Sequence, residues 1–142
     1  MRRERVVCAY PGTAKVGVSL WILEDSRIAR VALGTAEATT VGPLFERFDP
    51  DLLIIEAGRD QGVKCAPFHA RSRDLNIVHP GWRDAPLRKP HRGMSYLAHN
   101  AWRMGFHQLV RRGRYKIGIL SPEPLTSEWL DRHSPSWSKR EG

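Results

Sequence analysis

The stretch Val6-Val7-Cys8-Ala9-Tyr10-Pro11-Gly12-Thr13-Ala14-Lys15-Val16-Gly17-Val18-Ser19-Leu20-Trp21 decides the fold. Its first half is an apolar run that breaks at Pro11-Gly12. Its second half alternates from Val16 onward. Proline presets one backbone angle of a tight turn and glycine supplies the freedom for the rest. The stretch therefore predicts strand, turn, strand. Tyr10 ends the first strand beside the turn, where a functional side chain would project.

Working outward, Arg5 to Tyr10 reads as the first strand and Lys15 to Leu23 as the second. In the second, Val16, Val18, Leu20 and Ile22 alternate with Gly17, Ser19 and Trp21. Glu24-Asp25-Ser26 is a turn. Ile28, Val31 and Leu33 continue as a third strand that Gly34 is expected to end. Thr39-Thr40 offer a cap for a short helix with Val41, Leu44, Phe45 and Phe48 at helical spacing. Asp49-Pro50-Asp51 stops it. Leu52-Leu53-Ile54-Ile55-Glu56 is short, unbroken and aliphatic, the pattern of a central buried strand, often parallel to its neighbour. It closes on a polar residue, Glu56.

Residues 58–74 are polar and basic, and Pro67 argues against one continuous helix there. Leu75 to Val78 predicts a fifth strand. Met94 to Val110 has helical periodicity, with Met94, Leu97, Ala98, Ala101, Trp102, Gly105 and Leu109 turned to the core. His99, Arg103, His107 and Arg111 step by four and form a basic stripe. Ile117, Ile119 and Leu120 suggest a short terminal strand. Glu123 to Arg132 is expected as a last helix carrying Leu125, Trp129 and Leu130. Residues 1–133 are read as a single domain, and residues 134–142 as a flexible tail rich in serine and charge.

Composition narrows the function classes. The 142 residues suffice for one domain with a proper core, and 41% hydrophobic content separates the chain from disordered sequences. Lys and Arg outnumber Asp and Glu 23 to 15, a formal charge of +8, so an anionic partner is expected: nucleic acid first, then an acidic protein surface. Cys8 lies in an apolar strand and Cys65 in a polar stretch, without the spacing of a metal knuckle or a disulfide framework. Met-Arg-Arg-Glu-Arg runs straight into the first strand with no signal-like apolar segment, and no run approaches membrane-spanning length. A cytoplasmic location is the expectation, in a host cell if the chain is phage-encoded.

Strand-strand-strand-helix-strand-helix-strand-helix resembles the order of the ribonuclease H-like fold, a mixed α/β sheet flanked by helices. A sharper likeness lies in the motifs. Tyr10-Pro11-Gly12 followed by Gly17 resembles the opening of RuvC-type Holliday junction resolvases, which run Asp-Pro-Gly and then place a glycine in the second strand. Asp49-Pro50-Asp51 and Leu53-Ile54-Ile55-Glu56 resemble that family's approach to a buried strand ending in a catalytic Glu. Asn100-Ala101 falls where the family has Asp-Ala in its closing helix. The resemblance spans about residues 5–110. It implies a nuclease scaffold in which clustered carboxylates hold two divalent metals, one activating water and one stabilising the leaving oxygen.

On that resemblance the acids are mostly replaced. Tyr10 stands at the first Asp, and Leu97 and Asn100 at the two positions of the closing helix. Only Glu56 matches, one of four expected carboxylates. Tyrosine is neutral at physiological pH. Nothing in the spacing of Asp60 or Asp84 brings either to the site. The expectation is a catalytically degenerate protein without a cofactor. The alternative is an active structure-selective nuclease using Glu56 with Mg2+ or Mn2+.

Other chemistries find less support. His69, His79, His91, His99, His107 and His133 are scattered without a ligand set for zinc. No nucleophile sits in an elbow motif. No helix follows Gly12 or Gly17 to make a phosphate loop. What remains is binding. Ala85 to Pro122 contains no acidic residue. Arg88, Lys89, Arg92, Arg103, His107, Arg111, Arg112 and Arg114 are the candidate contacts to phosphates or to a partner. Trp82 and Tyr115 could add stacking, while Trp102 is expected in the core. The same face could dock on a nucleic-acid-processing complex such as RNA polymerase. In size and charge the chain is similar to thermophilic-phage factors that bind RNA polymerase and alter promoter use and termination, which would make it a transcription regulator.

Overall fold

The computed structural model describes residues 2–12, 14–37, 39–56, 75–78, 95–113, 115–116 and 121–134. Their elements are β1 (Arg3–Pro11), β2 (Lys15–Glu24), β3 (Arg27–Glu37), α1 (Val41–Phe48), β4 (Leu52–Glu56), β5 (Leu75–Val78), α2 (Tyr96–Arg111), β6 (Tyr115–Lys116), β7 (Glu123–Pro124) and α3 (Ser127–His133). Among the described residues they form one mixed sheet in the order β5-β4-β1-β2-β3-β6, with β7 also on β3.

The meander behaves as its residues dictate. Gly12 N–H closes the first turn onto the Lys15 carbonyl at 2.7 Å. Asp25 and Ser26 both adopt positive φ, 51° and 68°, as a two-residue hairpin between right-twisted strands requires. Asp25 is held there by the backbone N–H of Arg2, which its carboxylate accepts at 3.0 Å. Between β2 and β3 the register shifts at Ile22/Leu23, leaving Ala29 as the extra residue of a bulge. That shift explains why Ile28 and Val31, three apart, share one face of the sheet.

β4 runs parallel to β1, pairing Val6 with Leu52 through Ala9 with Ile55. β5 is parallel to β4 in turn. Leu52, Leu53, Ile54 and Ile55 are all buried, as a strand covered on both faces must be. α2 covers one face, over Val6, Cys8, Trp21, Leu23, Ile28, Val31 and Ile54. The other face holds Val7, Ala9, Val18, Leu20, Ile22 and Leu53 under Phe48 of α1 and Trp129 and Leu130 of α3.

Three expectations are corrected. Gly34 does not end the third strand: it pairs with Val18 in mid-ladder and β3 continues to Glu37. A Cβ there would come within 3.0 Å of the Leu125 Cβ, so the glycine admits the segment crossing over it rather than making a turn. The last helix does not start at Glu123. Glu123–Pro124 is strand β7 on Ala32 and Leu33, and Thr126 caps α3 by accepting the Trp129 N–H at 3.1 Å. The long helix starts at Tyr96, after Ser95, whose hydroxyl accepts the Ala98 N–H at 3.1 Å. Ile117, Ile119, Leu120, the polar stretch of residues 58–74 and the tail after Ser134 lie outside the described residues.

Candidate functional site

The site to test is the carboxyl end of β1 and β4. The parallel register that pairs Ala9 with Ile55 puts the backbones of Tyr10 and Glu56 side by side one step further on. Glu56 closes β4; its side chain lies outside the described atoms. Over this end lies the first turn of α2, carrying Tyr96 and Leu97.

α2 is drawn unusually close to β2 here. A Cβ on Gly17 would stand 2.0 Å from the Leu97 carbonyl oxygen, so only glycine fits beneath the helix. A Cβ on Gly12 would stand 2.9 Å from both Leu97 methyls. The glycines of the opening hairpin are thus the floor on which Leu97 sits. Further along, a Cβ on Gly105 would come within 2.6 Å of Trp21 Nε1 and 2.7 Å of Cys8 Sγ. Trp21 Nε1–H donates to Ser19 Oγ at 2.8 Å, and Ser19 donates to the Ala101 carbonyl at 2.8 Å. This buried chain of hydrogen bonds ties β2 to the middle of α2 and fixes the helix's rotation. Burial pushes the Cys8 thiol up to about 12, against hydrogen bonds with Ser19 and Trp21 that pull it down. Cys8 is a packing residue rather than a nucleophile.

The described side chains gathered at the strand end are aromatic, aliphatic and amide. Tyr10 is 8% exposed and belongs to the core cluster. Its ring meets that of Tyr96 edge to face, with centroids 6.2 Å apart and planes at 85°. Leu97 is partly buried against the same cluster. Asn100 is 3% exposed, and its Nδ2 has no hydrogen-bond partner among the described residues. A two-metal centre needs several anionic oxygen ligands in fixed order. The described side chains here supply none, and no three His, Cys, Asp or Glu residues among the described residues could share an ion.

The basic stripe is present on α2, though not as a fully solvated face. His99, Arg103 and His107 are half-buried and Arg111 and Arg112 are exposed. The His99 ring lies 6.4 Å from that of Trp102, which is buried as expected. His107 Nδ1 and the Gln108 amide are 3.3 Å apart. The periodicity analysis missed Met104, Gln108 and Asn100, all buried on this helix. Arg88, Lys89, Arg92 and Arg114 lie outside the described residues.

No protein-family model and no curated protein matches the sequence. Solved structures do match in shape. The structure of Thermus thermophilus RuvC superposes with a TM-score of 0.57 at 14% identity, over 83% of this chain and 99% of that one. The same organism's RuvC in complex with a Holliday junction substrate gives 0.50 at 11% identity, over 78% and 96%. The nuclease domain of the large terminase subunit of bacterial virus Sf6 follows at 0.41 and 14%, too distant to weigh. The fold is ribonuclease H-like. It is a mixed sheet with parallel and antiparallel pairs between helices, as the element order predicted. No described helix is long and apolar enough to cross a membrane.

Proposed function

We propose that this ribonuclease H-like chain is a catalytically degenerate, RuvC-like protein that binds structured nucleic acid and does not cut it. The observation that carries this reading is Tyr10, buried and packed on Tyr96 and under α2 at the strand end where RuvC-type nucleases gather their carboxylates. The scaffold's binding role is supported by charge. The chain carries +8, and its longest described helix has no acidic residue in its 16 positions. A solved neighbour in shape is bound to a Holliday junction.

The test incubates the protein with four-way junctions and single-stranded DNA in Mg2+ or Mn2+. The expected result is binding without cleavage. Affinity should fall steeply with salt, because each phosphate neutralised releases counterions. Reversing the exposed pair, Arg111→Glu with Arg112→Glu, should weaken it by roughly tenfold or more at low salt. Cleavage that disappears in Glu56→Gln would overturn the reading and favour the nuclease alternative, in which Glu56 and a divalent metal act with unorthodox partners.

A second reading places the same face on a transcription complex, as a phage regulator of RNA polymerase would require. Val110, 47% exposed beside Arg111, and the partly buried Phe106 favour it, since protein interfaces need an apolar centre. Capture of an RNA polymerase subunit from nuclease-treated host extract, insensitive to salt, would support this over direct nucleic-acid binding.

A further inference from the structure

The rings of Tyr10 and Tyr96 form a built feature that packing alone does not require. Tyr96 is 64% exposed, and with Val110 it is one of two large hydrophobic side chains so exposed among the described residues. Both project from α2, 14 positions apart, on nearly the same side of the helix. The Tyr96 ring does not hang free, for its orientation is set by the edge-to-face contact with Tyr10, 6.2 Å away at 85°. Tyr10 is itself immobilised in the core between β2 and α2. An aromatic ring resting on the buried Tyr10 is thus presented to solvent at the carboxyl end of β1 and β4.

The geometry points to a stacking platform for an unpaired nucleobase at Tyr96, a claim that rests on the nucleic-acid reading and narrows its ligand to strands with exposed bases. A base offers a flat π-face of matching size, and stacking on a preset ring loses little rotamer freedom. A duplex keeps its bases stacked on one another and offers no such face without unpairing. Charge favours a nucleic-acid strand over an apolar peptide as the occupant. Ala85 to Pro122 holds no acid, α2 has none in its first turn, and Arg103 lies on the same side of the helix one heptad beyond Tyr96. In this arrangement the ring takes the base while the basic residues along α2 follow the phosphates. Tyr10, where a carboxylate would hold metal in the related nucleases, instead positions the platform.

The experiment measures binding of two probes to the full chain at low salt. One is a single-stranded oligonucleotide carrying 2-aminopurine, the other a blunt duplex of the same length. Tyr96→Leu keeps an apolar, exposed side chain and should leave the fold intact by circular dichroism. It should weaken single-strand affinity roughly tenfold and abolish quenching of the 2-aminopurine, with duplex affinity within about twofold of the parent. Tyr96→Phe keeps the ring and should retain both affinity and quenching. Unchanged quenching and single-strand affinity in Tyr96→Leu, with binding still lost in the Arg111→Glu, Arg112→Glu protein, would overturn the platform and leave the broader reading standing. Failure of the parent protein to bind either probe or a four-way junction would overturn both.

Discussion

The two ends of the same parallel strand pair differ in kind. At the amino ends of β1 and β4 the structure is ionic and tightly paired. Arg5 N–H donates to Asp51 Oδ2 at 3.0 Å, Asp51 N–H to the Arg5 carbonyl at 2.8 Å, and Arg5 Nε to the Asp49 carbonyl at 3.2 Å. Arg3 pairs with Glu24 at 3.0 Å nearby. At the carboxyl ends, the described side chains are Tyr10, Leu97, Tyr96 and Asn100, held by contact and by glycine seats. The hydrogen bonds that align β1 with β4 sit at the amino end, and the described side chains at the carboxyl end pack on one another. Charge at the amino end serves register; at the carboxyl end the described contact is between aromatic rings, Tyr10 buried and Tyr96 exposed.

The largest expected effect is on the seat of α2. Gly17→Ala drives a methyl into the Leu97 backbone, which cannot move aside as a flexible side chain would. It should destabilise by more than about 3 kcal/mol in denaturant unfolding. Tyr10→Ala should cost about 3 kcal/mol by emptying a buried aromatic site, whereas Tyr10→Phe should cost less than about 1 kcal/mol. If Tyr10→Ala proved milder than a change at the ionic end, the picture of a packed carboxyl end would break. At that ionic end, Asp51→Ala removes an acceptor for the Arg5 N–H and should cost about 1–2 kcal/mol.

The smallest effects are in pH. On the face covered by α3, Glu123 accepts Trp129 Nε1–H at 3.1 Å and two bonds from Arg30 at 2.9 and 3.1 Å. Burial pushes its carboxyl up, but these bonds and the Arg30 charge outweigh it and hold the group below its ordinary value of 4.5. A carboxylate lowered in the folded state stabilises above that value, and the contribution is lost as pH falls below it. His133, its ring 4.5 Å from that of Trp129, is lowered below 6.5 by burial first and then by Arg30. Folding therefore favours its neutral form. Its contribution is complete above 6.5 and fades on acidification through the folded value. Thermal stability should begin to fall below about pH 6.5 and fall further below about 4.5. His133→Gln should flatten the first step and Glu123→Gln the second. Neither should move the affinity for nucleic acid, if binding belongs to α2.

Much of the frame was legible from local pattern. Period-two alternation gave β2, an unbroken aliphatic run gave β4, and period 3.6 gave α2 with Ala98, Ala101, Trp102 and Leu109 inward. Those signals are local because burial on a strand or helix repeats with the backbone's own geometry. The tyrosine at the end of β1, beside the Pro-Gly turn, was equally plain, since it is a matter of residue type at one position. Gly34 and the start of α3 misled because their roles depend on what crosses them in space. A glycine reads as a turn in sequence, yet Gly34 serves the passage of Leu125. Asn100 lies outside the apolar stripe of α2, yet the helix's rotation buries it. Glu123 reads as helical, yet β3 offers its edge to pair with. Sequence alone determined the order of elements, the basic surplus and the tyrosine beside the Pro-Gly turn. Only the tertiary structure decided that Tyr10 turns inward, that Gly17 lets α2 settle upon it, and that Tyr96 is held facing solvent. Those facts arise where segments some eighty residues apart in the chain come into contact, and no local periodicity encodes such a meeting.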